Sequence, residues 1–195
     1  MILRCPIFTH RTSYAIVGDT AETLPIPDRQ KIVDIASELV GARSVKYVPG
    51  HPELGQSRDG FDCSGFVRFV LYEAGLHVPD FIGMDNTQRQ IRHTNEFWDH
   101  YGVVTHMPQE GNLVFFSRNG LFPTHIGIMK DPDNYIHAPG QDDTKVSIEK
   151  LAPQSLKRRI KDEREKQLYI VNPIGFKVPV RPIAQPTYRY HQELL

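Results

Sequence analysis

The chain has 195 residues, 23 Lys+Arg against 23 Asp+Glu, a pI near 7.1, and 39% hydrophobic against 24% charged residues. That length suits one domain with room for a hydrophobic core, and the zero formal charge removes any bulk attraction to nucleic acid or acidic membranes. No apolar run reaches the roughly 18 residues of a membrane span, and two cysteines are too few for a disulfide scaffold or a Cys-rich zinc fold.

Residues 1–27 carry short β-like runs (Ile2-Leu3, Ile7-Phe8, Tyr14 to Val17) and a Gly18-Asp19 turn, and read as an N-terminal extension wrapping the core. Arg4, Cys5, Pro6 and His10 interrupt the start, so it does not read as a signal peptide. Asp28 is a good N-cap after Pro25 and Pro27. Ile32, Val33, Ala36, Leu39 and Val40 then recur at helical spacing up to Gly41. A Gly/Pro/His-rich loop covers 48–60.

A second helix follows, with Cys63, Phe66, Val67, Val70, Leu71 and Ala74 on one stripe. Asp62 stands at its N-cap and Gly75 at its stop. Beyond about 110 the pattern turns to short β-rich runs at 113–116, 124–129, 135–138 and 146–148, separated by turn residues, with a further strand at 167–171. Helices followed by a meander indicate an α+β fold. Lys157-Arg158-Arg159 alternates with Asp162, Glu163 and Glu165 and reads as a solvated helix rather than a nucleic-acid patch. The domain is expected over 28–171, and 172–195, with four prolines, as an extended or irregular tail.

Cys63 in the first turn of a helix lies beside unpaired backbone N–H groups and the positive end of the dipole, which favour a thiolate. The same N–H groups suit an oxyanion, and small Ser64 and Gly65 leave room for a substrate. An isolated cysteine on such a stripe is also a common core residue. Two histidines change that balance. Alternation in Thr124-His125-Ile126-Gly127-Ile128 and in Tyr135-Ile136-His137-Ala138 sets each imidazole opposite the inward apolar residues. If the strands pair, one imidazole can act as general base and the other can orient it.

Phe61-Asp62-Cys63-Ser64-Gly65-Phe66-Val67 resembles the nucleophile motif of the NlpC family of bacterial cell-wall cysteine peptidases, papain-like α+β enzymes with helices packed on an antiparallel sheet. Tyr47-Val48-Pro49-Gly50, Glu110 to Phe116, and the two histidine strands resemble further family segments in the same order. The resemblance implies Cys63 as nucleophile, His125 as base and then acid, and His137 as orienting residue. It places Tyr47 near the oxyanion, and offers Asp62 and Ser64 to a free substrate amine, with Asp62 equally readable as a helix cap alone. Gln88, beside Thr87, is implied to be structural, and Cys5 a spectator.

Asn112 departs from the family's usual Asp, and 91–106, with Trp98, looks like a longer cleft-side loop. His51 is expected in solvent. The implied partner is peptidoglycan or its peptide fragments, cut without metal or organic cofactor, most typically at the bond from γ-D-glutamate to a diamino acid. That function favours a secreted or envelope location, with cytoplasmic recycling of wall peptides as the alternative. The same residues admit another thiol acyl-transfer enzyme (amidase, deamidase or transacylase), a metal-binding module on Cys63, His125 and His137, or a silent wall-binding domain.

Overall fold

The computed structural model describes residues 22–23, 26–51, 53–82, 86–117, 122–151, 157–158, 169–170 and 172–181. Helix α1 (Ile26–Glu38) starts two residues before the expected cap. Pro27, with no N–H to satisfy, fits a first turn, and Asp28 lies within that turn, 3.1 Å from the guanidinium of Arg181. Ile32, Val33 and Ala36 form its buried stripe, which Leu39 continues just past its end. At Gly41 the chain takes φ +92°, and its N–H donates to Val146 O.

Helix α2 (Cys63–Glu73) follows the sequence reading closely. The Asp62 carboxylate accepts from Gly65 N–H at 2.8 Å, replacing a partner the first turn lacks. At the other end, Gly75 N–H donates to Tyr72 O and Leu76 N–H to Leu71 O, with Gly75 at φ +82°. These bonds close a Schellman motif. Phe66, Val67, Val70 and Leu71 are fully buried, each contributing about 1.5–3 kcal/mol through apolar burial.

The stretch 91–106 is structured rather than a loop: α3 (Thr94–His100) leads into an edge strand. The sheet comprises β1 (Val103–Thr105), β2 (Leu113–Ser117), β3 (His125–Met129), β4 (Asn134–His137), β5 (Ser147–Lys150) and β6 (Asn172–Val178). Its order is β5-β4-β3-β2-β6-β1, with every neighbouring pair antiparallel. Leu113, Phe115, Ile126, Ile128 and Ile136 belong to the core that the helices cover. Val114, Phe116, Met129 and Tyr135 form a second cluster with Phe176 and Leu151. Burial on both faces explains why 113–116 reads as a continuous apolar run. The architecture is α+β.

Two expectations change. The first residues of the presumed tail are strand β6, inserted between β2 and β1, so the sheet continues past residue 171. Its one proline, Pro173, is tolerated because pairing shifts at Pro173/Gly175, and Gly175 lets the Trp98 ring approach where a Cβ would meet it at 2.9 Å. Lys157–Arg158 pairs with Tyr169–Ile170 rather than forming a helix. Asp162, Glu163, Glu165, Cys5 and most of 1–27 lie outside the described residues, although Glu22–Thr23 pairs with Val180–Arg181.

Candidate active site

Cys63 is the first residue of α2, and the turn before it is built by close backbone packing. Asp62 N–H donates to Gly55 O at 2.9 Å, and a Cβ on Gly65 would come within 1.9 Å of that same oxygen. The smallness of Gly65 therefore admits the Gly55 backbone rather than a substrate. Thr94 Oγ1 stands 3.7 Å from Cys63 Sγ, and backbone N–H groups of Ser64 and Ile126 also face the sulfur. Ile126 follows His125 directly, so the start of β3 lies against the thiol.

Burial pushes the Cys63 thiol up from its ordinary value, and the nearby charge of Asp62 acts in the same direction. The donors from Thr94, Ile126 and Ser64 oppose this without reversing it. Burial and the Asp62 charge thus oppose the thiolate that the helix terminus is expected to favour.

His125 Nε2 and His137 Nδ1 are 2.7 Å apart, with ring planes 87° apart. Strands β3 and β4 pair Ile136 with Ile128, which sets the two imidazoles diagonally on one face beside Phe116 and Tyr135. Gly127 makes that packing possible: a Cβ there would meet Ile136 O at 2.9 Å and Tyr135 Cδ2 at 3.0 Å. His137 is buried, and its Nε2 lies 3.0 Å from Glu149 Oε1.

Asp62 and Ser64 are buried under Arg92, 1% and 4% exposed. The guanidinium donates to both Asp62 oxygens, to Ser64 Oγ at 2.8 Å and to Leu54 O at 2.8 Å. The oxygens that sequence reasoning offers to a substrate amine thus face an internal cation. Arg92 also lies over the Tyr47 ring at 5.2 Å, and the Tyr47 hydroxyl is 3.5 Å from His93 Nε2. Glu96 accepts from the N–H groups of Arg92 and His93, fixing this segment at the start of α3. Residues 92–94 therefore touch Asp62, Tyr47 and Cys63 in turn, which no local spacing signals.

Gln88 bonds to Asp80 at 3.0 Å within the short hairpin Asp80–Ile82/Gln88–Gln90. Asn112 Nδ2 donates to Met107 O, and His51 is exposed beside Glu53. Among the described residues, no group of three or more His, Cys, Asp and Glu stands where it could hold a metal ion, and no helix is long and apolar enough to cross a membrane.

Residues 47–165 match the NlpC/P60 family model. The chain is 31% identical over 119 residues to a Bacillus subtilis protein named "Probable peptidoglycan endopeptidase LytE", covering 60% of this chain but 29% of that protein. Two solved structures share the fold. One, from Staphylococcus aureus and described as similar to lipoprotein of the NLP/P60 family, has TM-score 0.51 and 22% identity over 85% of this chain and 44% of its own. The other, an NlpC/P60 family protein from Bacillus cereus, has TM-score 0.53 and 19% identity over 81% and 42%.

Proposed function

The chain belongs to the NlpC/P60 family, and on that premise we propose that it is a cysteine endopeptidase acting on the stem peptides of peptidoglycan. The observation that carries this reading is the 2.7 Å contact between His125 and His137 on the strand that meets the Cys63 thiol. The named activity of the Bacillus subtilis relative supports the substrate class. The bond we assign is the amide joining γ-D-glutamate to a diamino acid.

In this mechanism His125 accepts the Cys63 proton as the sulfur attacks the peptide carbonyl. Backbone N–H groups at the start of α2 and the Tyr47 hydroxyl stabilise the oxyanion. His125 returns the proton to the departing amine, whose C–N bond breaks. Water, deprotonated by the same imidazole, then hydrolyses the thioester. Asp62 and Ser64 act indirectly, by fixing the helix start through Arg92. The catalytic unit would include α1 and extend through β6.

The test is mass spectrometry of products from intact peptidoglycan and from free stem peptides. Cleavage between γ-D-glutamate and the diamino acid, abolished by Cys63→Ala and unaffected by Cys5→Ala, is the expected result. Equal activity in the two variants refutes the assignment, and a deamidated or acyl-transferred product replaces the peptidase reading with another thiol chemistry.

A further inference from the structure

Beyond the His125–His137 contact, the hydrogen-bond chain continues to a carboxylate on the next strand. In the β4–β5 register Tyr135 faces Glu149 and His137 faces Ser147, placing the Glu149 side chain beside both rings. His137 Nε2 lies 3.0 Å from Glu149 Oε1, and the Tyr135 hydroxyl donates to Glu149 Oε2 at 3.1 Å. Ser147 Oγ is 3.4 Å from the same His137 nitrogen.

The proton positions follow from donor and acceptor capacity. An ionised carboxylate only accepts, so His137 Nε2 carries the hydrogen. In a neutral imidazole this leaves Nδ1 as an acceptor, and the 2.7 Å contact is then donated by His125 Nε2–H. His125 Nδ1 is left with the lone pair. In the proposed mechanism that nitrogen would take the thiol proton.

We propose that Glu149 is a positioning residue of this site: it holds His137 in the Nε2–H tautomer and thereby decides which nitrogen of His125 is basic. Its negative charge also favours His125 once that ring is protonated. Tyr135 orients the carboxylate from the neighbouring strand. The alternative is a Ser147 hydroxyl donating to His137 Nε2, which imposes the opposite tautomer on both rings. The catalytic consequence rests on Cys63 and His125 as nucleophile and base, but the tautomer itself does not.

The experiment pairs two readouts on the full chain. Long-range proton–nitrogen NMR of histidine-labelled protein, assigned with His137→Asn, reads the tautomers without substrate. Steady-state hydrolysis of stem peptide reads kcat and KM. Glu149 is 43% exposed at its side chain, so its replacement leaves the core packing in place. The expected result is an Nε2–H His137 in the wild type that is lost in Glu149→Ala, with kcat falling about 10–100-fold at similar KM. Glu149→Gln keeps an acceptor oxygen and restores the tautomer and part of kcat. An Nδ1–H His137 in the wild type, or a tautomer unchanged in Glu149→Ala, overturns the proposal, as does an unchanged kcat. An expected tautomer response in a chain that cleaves no peptide supports the role of Glu149 and refutes the peptidase reading instead.

Discussion

Arg92 reaches across to Asp62, thirty residues earlier, and neutralises the carboxylate that caps the nucleophile helix, with Nη1 3.0 Å from Oδ1. Both partners are buried, at 6% and 2% side-chain exposure. Removing one leaves the other charged and without its ion pair in a low dielectric, which typically costs about 3–5 kcal/mol. Arg92→Ala should therefore destabilise the fold by that amount in urea denaturation, and Asp62→Asn by a comparable amount despite keeping a capping oxygen. A loss below about 1 kcal/mol in both would mean that the pair is solvated.

The buried environment of Cys63 predicts a pH signature. Burial of the sulfur raises the thiol from its ordinary value, which disfavours the thiolate. In His125→Ala, which removes the proposed base, alkylation by iodoacetamide should rise about tenfold per pH unit and reach its midpoint above the ordinary ~8.5. Mass spectrometry of the labelled peptide gives the rate. A midpoint near 6 would show the helix terminus outweighing burial.

Gly65 tests the packing beneath the nucleophile. An added methyl would strike Gly55 O, the acceptor of Asp62 N–H, and backbone cannot yield as a flexible side chain can. Gly65→Ala should cost about 3 kcal/mol, the upper part of the usual overpacking range. That corresponds to a melting point lowered by roughly 6–12 °C for a chain of this size. Wild-type melting would place the loop elsewhere in solution.

Tyr47 tests the oxyanion assignment. Tyr47→Phe keeps the ring under Arg92 and removes only the hydroxyl. With that hydroxyl stabilising the transition state, kcat should fall about 10²–10³-fold while KM and melting temperature stay close to wild type. Steady-state kinetics on a stem peptide measure this, and an unchanged kcat removes Tyr47 from the oxyanion site.

Lys177 predicts how stability varies with pH. Its ammonium donates to the carbonyls of Trp98 and Tyr101 at the end of α3, and burial lowers its pKa from 10.5 to about 8, opposed by Asp99. Between those values the unfolded chain binds more protons than the folded one, so this group makes stability rise with pH. The contribution is fully present above 10.5 and is lost as pH falls through about 8. Relative to Lys177→Met, wild-type stability should climb by up to about 1.4 kcal/mol per pH unit above 8. Parallel pH dependence in the two proteins would refute this.

Much of the scaffold was legible because it is local. The apolar stripe of α2, its Asp62 cap and its Gly75 stop are set by residues within a few positions of each other. The alternation around His125 and His137 likewise follows from the two-residue period of a strand. Strand β6 was obscured by Pro173, whose missing N–H argues against a central strand until the bulge beside it is seen.

What the sequence determined by itself was a helix beginning at Cys63 and two strands, each holding a histidine on the face opposite its isoleucines. What only the tertiary structure decided was who meets whom: Arg92 over Asp62, Thr94 against the Cys63 sulfur, and Glu149 behind His137. Those contacts join residues 30, 31 and 12 positions apart. Periodicity fixes only the face a side chain presents, whereas its partner depends on strand order and loop closure, which emerge when the whole core is packed.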